Sequence, residues 1–308
     1  MTAKTTSVWI TGEAGMLARE VGRVLEEDSN YEVLNSFQNP FFHFDSSYVK
    51  LQTSHAESPE FDVLMDPPVK PDVLVHTAAL TGTDKCLGDM SQAFLTNTYA
   101  TFKLGKFCLD NHVKMVYFST TAIFDPRPFQ VLVESSVQRP VTLYGATKQA
   151  GESLLRSILP PEQLLIIRPC FIYGSGNDHA SNIARIMRNT LEKKITVLLI
   201  DPMKKKDYTH FLDFGTGIKT LLDKQAFGEY NISAGFPLAY LEIVKIIGNV
   251  MGEEADVVYF SDEDYLGDHI VNSSKLEQLG WQPKVALEEG ASLQWQLIQR
   301  NYMSKMVQ

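Results

Sequence analysis

The sequence predicts an α/β fold, in which a doubly wound parallel sheet is followed by a smaller C-terminal domain. Short apolar runs alternate with helical patterns along the first half of the chain, and a glycine turn joins the first strand to the first helix. From Gly174 onward the order of elements is less regular. Short buried strands separated by helices are typical of parallel sheets, and we expect about seven strands.

The first strand is predicted at residues 7–11, and the helix after it places Leu17, Val21, Val24 and Leu25 on one apolar stripe. Further strands are predicted at 31–35, 48–52, 72–76, 115–119, 164–168, 195–200, 229–233 and 257–260. Helices are predicted near 91–110, 143–157, 181–193, 213–223, 240–251 and 286–302. This order predicts a domain over 1–173, completed by about 207–235, and a second over 174–206 and 236–308.

Composition narrows the class of protein. Apolar residues make up 44% of the 308 residues, which is typical of a globular chain. No apolar run approaches the ~20 residues that span a bilayer, and no signal peptide is recognisable, so a cytoplasmic protein is expected. The net charge of −9 argues against nucleic acid as a partner. Three cysteines without Cys-x-x-Cys spacing predict neither a disulfide nor a metal site.

The glycine turn has the spacing Gly12-x-x-Gly15-x-x-Ala18, a variant of the dinucleotide-binding fingerprint. A strand, a glycine turn and a helix N-terminus together present free N–H groups and a positive dipole end, which suit a pyrophosphate. An ordinary tight turn is the alternative. The position on the first strand of the chain favours phosphate binding and a Rossmann-type domain, with contacts from Gly12, Ala14, Gly15, Met16 and Leu17.

A Tyr-x-x-x-Lys pentad begins at Tyr144 and ends at Lys148, 24 residues after Thr120. Positions i and i+4 share one face of a helix, so the phenol and the ammonium can meet. A nearby lysine lowers the pKa of a tyrosine from about 10, which would make Tyr144 a usable general acid at neutral pH. The hydroxyl of Thr120 can hold a carbonyl oxygen beside it. An exposed helical pair without function is the alternative.

Together with segments 71–79, 96–101, 168–174, 207–211 and 273–283, these motifs resemble the extended short-chain dehydrogenase/reductases that act on nucleotide sugars. Segments 78–85 and 119–125 look most like those of the dTDP-4-dehydrorhamnose reductases. The resemblance implies hydride transfer from a reduced nicotinamide to a 4-keto carbon, with Tyr144 protonating the oxygen. It places Thr120, Tyr144 and Lys148 on the catalytic triad of the family.

The resemblance also implies the ligands and their contacts. The cofactor is NAD or NADP, a choice that the small polar residues at 35–38 leave open. Cofactor contacts are implied for Asn35, Ala78, Ala79, Asn97, Ser119, Tyr144, Lys148, Pro169 and Phe171. The partner is a nucleotide-diphosphate sugar, contacted by Thr81, Thr121 and Asn182, and homodimer formation is also expected. Candidate cations for the diphosphate are Arg185, Arg188, Lys193, Lys194 and residues 204–206, although such charges usually face water.

Departures from the family pattern favour one reaction over others. The 4,6-dehydratases carry Asp-Glu directly after the catalytic threonine, where this chain has Thr121 and Ala122. GDP-fucose synthases carry a cysteine at the place of Ala122, so epimerisation at C3 and C5 is unsupported. A C4 epimerase stays open. Two further alternatives stay open. One is a family member that acts on a non-sugar ketone or alcohol, and the other is a non-catalytic NAD(P)-binding subunit like the regulatory subunit of methionine adenosyltransferase.

Overall fold

A computed structural model describes residues 5–12, 15–34, 69–125, 131–175, 181–260 and 267–306. The strands are β1 Thr6–Thr11, β2 Tyr31–Val33, β3 Val73–His76, β4 Lys114–Phe118, β5 Val131–Leu132, β6 Leu164–Pro169, β7 Ile172–Tyr173, β8 Thr196–Leu198, β9 Lys205–Lys206, β10 Thr209–His210, β11 Gly228–Ile232, β12 Leu238–Ala239, β13 Val257–Tyr259 and β14 Ile270–Val271. The α-helices are α1 Met16–Glu26, α2 Thr83–Gly88, α3 Met90–Phe94, α4 Ala100–Asn111, α5 Leu143–Ile158, α6 Asn182–Leu191, α7 Phe211–Asp223, α8 Tyr240–Met251, α9 Ser274–Glu277 and α10 Leu287–Met306. None of these described helices is long and apolar enough to cross a membrane.

The main sheet has six described strands in the order β11-β6-β4-β3-β1-β2. The pairs β1–β2, β1–β3, β3–β4 and β4–β6 are all parallel, with Val8 opposite both Val33 and Val73. The predicted α/β fold with a parallel sheet is therefore confirmed. The strand predicted at residues 48–52 lies outside the described residues. The chain reverses its direction of travel across the sheet at β1 and β3, the place where such sheets bind ligands.

Two compact units divide the chain. The first comprises the described residues of Met1–Phe124, Val137–Arg168 and Gly215–Tyr230, and the second those of Asp125–Ser136, Pro169–Phe214 and Asn231–Gln308. In the first, α4 and α5 cover the sheet, and the core contains Trp9, Leu74, Leu104, Phe107, Met115, Leu155 and Ile166. In the second, α6, α8 and α10 pack together around Ile183, Met187, Tyr240, Ile243 and Trp295. Which unit holds cofactor and which holds substrate stays a prediction.

The helix predicted near 91–110 is confirmed in extent, but it contains a π-helical turn that was not predicted. The structure has α3, a π-helical turn over Leu95–Tyr99 and then α4, and α2 precedes them. Asp89 separates α2 from α3, with φ −145°, and its carboxylate accepts a hydrogen bond from Gln92 N at 2.9 Å. Such a cap starts a new helix because it satisfies one of the N–H groups that the first turn leaves open.

Candidate active site

Gly12 occupies a position that only glycine can fill. Its φ is +75°, and a Cβ there would lie 2.8 Å from both Cα and N of Ala78. The end of β1 thus contacts the backbone just after β3, and Gly15 N donates to Gly12 O at 2.8 Å. Because α1 begins at Met16 and Gly15 has no side chain to cap it, the first N–H groups of the helix remain available. This arrangement fits a phosphate, as predicted from the sequence, while Ala14 and Asn35 lie outside the described residues.

Thr120 follows β4 in extended backbone, with φ −163° and ψ 152°. Its Oγ1 accepts from Ala122 N at 3.1 Å and caps the 3₁₀ turn Thr121–Ile123. The same hydroxyl hydrogen-bonds with the phenol of Tyr144. Two residues that are 24 positions apart in the sequence therefore lie next to each other.

Helix α5 carries Tyr144 and Lys148 one turn apart, and Thr142 begins it, because Thr142 Oγ1 accepts from Gly145 N at 3.1 Å. Two glycines let the helix lie close to its neighbours. A Cβ at Gly145 would collide with the carbonyl of Ala122, and one at Gly151 would collide with the hydroxyl of Tyr117. The helix is therefore held near the Thr121–Ile123 turn at one end and near β4 further along.

Lys148 is 1% exposed, and its Nζ lies 4.2 Å from the centroid of the Tyr117 ring. Burial lowers the pKa of Lys148 to about 7, although the charge of Glu152 opposes this shift. Removing an ammonium from water disfavours its charged form, and one carboxylate does not offset that loss.

The expectation that Lys148 lowers the pKa of Tyr144 is wrong for this structure. Burial, with a contribution from Cys86, raises the pKa of Tyr144 to about 12, and the hydrogen bond with Thr120 offsets only part of the shift. The desolvation of a phenolate outweighs the hydrogen bond with Thr120, and Lys148 is not among the groups that shift this pKa. Tyr144 therefore keeps its proton at neutral pH, which suits a proton donor.

Asn97 lies in the π-helical turn, fully buried, and fixes the loop after β3. Its Oδ1 accepts from Leu80 N at 2.8 Å, and its Nδ2 donates to Leu80 O at 3.0 Å and to Thr147 Oγ1 at 3.1 Å. Thr147 Oγ1 in turn donates to Tyr144 O at 2.8 Å. The loop with the predicted contacts Ala78, Ala79 and Thr81 is thus joined to helix α5 through one side chain.

Ser119 and Thr121, which flank Thr120, are each 3% exposed. The Oγ of Ser119 has no hydrogen-bond partner within the described part of the chain. Buried hydroxyls are usually paired, so an unpaired one beside Thr120 fits a contact with a ligand. Thr81, by contrast, is exposed at the start of the segment that leads into α2.

Three predicted contacts belong to the second unit. Pro169 ends β6, and Phe171 has φ +26° and a ring 5.2 Å from that of His269. Asn182 Nδ2 donates to Tyr240 Oη at 3.1 Å, and its Oδ1 accepts from Arg185 Nη2 at 3.0 Å, so the side chain is already engaged.

Among the predicted cations, Lys206 differs from a surface lysine. It is 2% exposed, and its Nζ donates to Gly267 O at 3.2 Å. Burial lowers the pKa of Lys206 to about 8. It lines a small cavity within the second unit together with Tyr208, Ala234, Phe236, Leu238, Ile243, Val285 and Leu287.

Sequence reasoning missed a buried ion cluster next to the site. Glu152, one helical turn beyond Lys148, accepts from Arg168 Nε and Nη2 and from Arg156 Nη2. The i+4 spacing from Lys148 was the available signal. His76 and Thr101 were also missed, although a histidine at the end of an apolar strand was visible in the sequence. No group of three or more metal-ligating side chains occurs among the described residues.

Comparisons with known proteins agree with this geometry. A family model, the RmlD substrate binding domain, matches residues 6–231. The spore coat polysaccharide biosynthesis protein SpsK of Bacillus subtilis is 26% identical over 261 residues, 84% of each chain. The dTDP-4-keto-6-deoxy-D-glucose reductase of Streptomyces niveus is 26% identical over 185 residues, 60% of this chain and 62% of that one. The dTDP-D-glucose 4,6-dehydratase of Mus musculus is 25% identical over 318 residues, 96% of this chain and 89% of that one.

Two solved structures show the same fold. The UDP-glucuronic acid 4-epimerase from Bacillus cereus, in complex with UDP-glucuronic acid and NAD, has a TM-score of 0.79 and 22% identity, and the match covers 96% of this chain and 100% of that one. RMD from Pseudomonas aeruginosa, complexed with NADPH, has a TM-score of 0.78 and 17% identity over the same shares of the two chains.

Proposed function

Because this chain belongs to the RmlD substrate binding domain family, within the extended short-chain dehydrogenase/reductases, we propose that it reduces a nucleotide-linked 4-keto sugar with NADH or NADPH. The kinship with reductases, epimerases and dehydratases confirms the coarser expectation, an NAD(P)-dependent enzyme of nucleotide-sugar chemistry. The finer assignment is supported chiefly by one observation: Tyr144 contacts Thr120 and holds its proton, one helical turn before Lys148.

Each group at the site has its own role in the proposed reduction. Bound NADH or NADPH would supply the hydride that reaches the carbonyl carbon. Thr120 and Tyr144 hydrogen-bond the carbonyl oxygen, and the Tyr144 hydroxyl transfers its proton to that oxygen as the carbon–oxygen double bond becomes single. The N–H groups of Met16 and Leu17, in the first turn of α1, would bind the pyrophosphate of the cofactor. Lys148 supplies positive charge beside the phenol once the proton has left.

The residues that follow Thr120 favour reduction over dehydration. Dehydration needs an acid/base pair that removes water across C5 and C6. Thr121 and Ala122 stand where dehydratases carry Asp-Glu, and neither side chain titrates near neutral pH.

The test is cofactor consumption. The protein is incubated with NADPH or NADH and with 4-keto sugars linked to dTDP, UDP, GDP or CDP, in deuterated water. We expect one equivalent of cofactor oxidised per product, with no deuterium at C3 or C5. Deuterium at those carbons would show enolisation and contradict simple reduction. Interconversion of two C4 epimers without net oxidation would favour the epimerase. Cofactor binding without turnover of any sugar would favour the binding subunit, or a member acting on a non-sugar ketone.

A further inference from the structure

His76, the last residue of β3, lies fully buried between two threonine hydroxyls. Its Nδ1 is 2.7 Å from Thr11 Oγ1, and its Nε2 is 3.0 Å from Thr101 Oγ1. The Tyr117 ring stacks on the imidazole with centroids 5.8 Å apart. Thr11 directly precedes Gly12 in the glycine turn, whereas Thr101 lies in α4, just after the π-helical turn that holds Asn97.

The other partners of Thr101 indicate the direction of its hydrogen bond with His76. Thr101 Oγ1 donates to Asn97 O at 2.8 Å and also hydrogen-bonds with the Tyr117 phenol. We therefore assign the bond with His76 as Nε2–H donating to Thr101 Oγ1. Burial and the charge of Lys148 lower the pKa of His76 to about 3, so the imidazole is neutral and its Nδ1 accepts from Thr11. Thr11 Oγ1 accepts a longer bond from Ala78 N at 3.4 Å. In this series every hydrogen bond is donated in the direction from Ala78 to Asn97, and hydrogen bonds in such a series strengthen one another.

The series of hydrogen bonds ends at Asn97, which contacts both the loop after β3 and helix α5. π-helical turns are rare, and they are frequent at functional sites. Thr101 Oγ1 donates to the Asn97 carbonyl one turn earlier, while the Asn97 side chain hydrogen-bonds with Leu80 and Thr147. A displacement of Asn97 would therefore move the loop after β3 and the start of α5 together.

We propose that His76 is a positioning residue that, as its Nε2–H tautomer, couples the glycine turn to the catalytic helix through Thr101 and Asn97. The consequence for turnover rests on the proposed function, whereas the coupling itself is a property of the first unit. His76 does not touch the reacting atoms in this scheme. It sets the distance between the turn that would hold the cofactor phosphates and the phenol that donates the proton.

The first measurement is hydrogen exchange at the Leu80 amide, in the full-length protein without added cofactor. Thr101→Val keeps the shape of the side chain and removes the hydroxyl, so we expect exchange to accelerate about fivefold to tenfold, the factor for one buried hydrogen bond. Thr101→Ser should restore the wild-type rate. Thr190→Val is the matched control, because Thr190 is also buried in a helix and donates to the carbonyl four residues earlier, Ile186 O, at 2.9 Å.

Two substitutions at His76 each keep one of its two hydrogen bonds. Gln can reach Thr101 with its amide N–H, as Nε2 does, and Asn can accept from Thr11, as Nδ1 does. His76→Gln should therefore keep Leu80 protected and weaken the binding of NADPH and NADH, measured by nicotinamide fluorescence. His76→Asn should expose Leu80 to exchange. Thr101→Val should also weaken cofactor binding at a turn that Thr101 does not contact.

Each result decides between coupling and mere packing. Leu80 exchange in Thr101→Val no faster than in Thr190→Val would overturn the proposal, as would equal behaviour of His76→Gln and His76→Asn. Faster exchange, with rescue by Thr101→Ser, would support the coupling even in a protein that reduces no 4-keto sugar. In that case only the proposed function fails. With an active substrate, Thr101→Val should lower kcat more than it raises the KM for the sugar.

Discussion

Glu152 and Arg168 form a two-point contact in the interior of the first unit. Arg168 Nε donates to Glu152 Oε1 at 3.0 Å and Nη2 donates to Oε2 at 2.8 Å, and the two side chains are 0% and 1% exposed. Parallel donors of a guanidinium match the two oxygens of a carboxylate, which fixes orientation as well as distance. The pair joins helix α5 to strand β6.

We expect Arg168→Met to lower the free energy of unfolding by about 3 kcal/mol, because removing one partner leaves a buried charge with less compensation. Arg156 still contacts Glu152, so the low end of the usual range applies. Denaturant unfolding followed by circular dichroism measures the loss. Lys106→Met, which breaks the exposed pair with Asp110, is the control and should leave the midpoint nearly unchanged. Equal effects of both substitutions on the unfolding midpoint would contradict a larger stabilising role for the buried Glu152–Arg168 pair.

Lys148→Met should stabilise the protein at neutral pH while abolishing turnover. Burial lowers the pKa of Lys148 from 10.5 to about 7, so between these values the unfolded chain binds the additional proton and stability rises with pH. Below pH 7 the full cost of burying the charge is present. The variant lacks that cost, so its advantage in the free energy of unfolding should be larger at about pH 6 than at about pH 10.

The exposed Lys245 provides the comparison for this pH dependence. Lys245→Met should change stability equally at both pH values, because neither state removes that ammonium from water. An advantage of Lys148→Met that does not shrink as the pH rises would contradict the lowered pKa.

Tyr144→Phe should lower kcat by a factor of about 10²–10⁴ and leave cofactor binding intact, since it removes the proton donor and keeps the ring. The measurements are steady-state kinetics with the active 4-keto sugar, and cofactor titration. Tyr302→Phe, in the last helix α10, is the control and should keep wild-type kinetics. Turnover of Tyr144→Phe close to that of the wild type would remove the mechanism and favour a binding role.

Gly12→Ala should destabilise the protein by about 1–3 kcal/mol, because it combines a positive φ with a contact at 2.8 Å to the backbone of Ala78. Binding of NADPH and NADH should weaken with it. Gly22→Ala is the matched control in the same segment. Gly22 lies within α1, and the nearest atom to its Cβ would be Ile10 Cδ1 at 3.8 Å, so alanine should be neutral or stabilising by up to about 1 kcal/mol. Comparable losses at both positions would contradict the close approach at Gly12.

Local signals made much of the fold predictable. Helix α5 was predicted at 143–157 and runs over Leu143–Ile158, because the Thr142 cap and the apolar spacing are both written in the sequence. The π-helical turn was not predictable, since the contacts that Asn97 makes from it, with Leu80 and Thr147, join residues 17 and 50 positions apart in the sequence. The pKa of Tyr144 was predicted in the wrong direction for the same kind of reason. Spacing shows which residues share a helical face, but not how much water remains beside them.

The two glycines that let α5 lie close to its neighbours affect how mutational data on this protein should be interpreted. In a saturation scan, positions 145 and 151 would tolerate substitution as poorly as Tyr144 and Lys148, although neither glycine has a side chain to offer a substrate. Any Cβ there would collide with Ala122 or Tyr117 and push the proton donor away from Thr120. Intolerance at these two positions would measure the permitted distance between helix and sheet, so a map of sensitive positions would be larger than the chemical site.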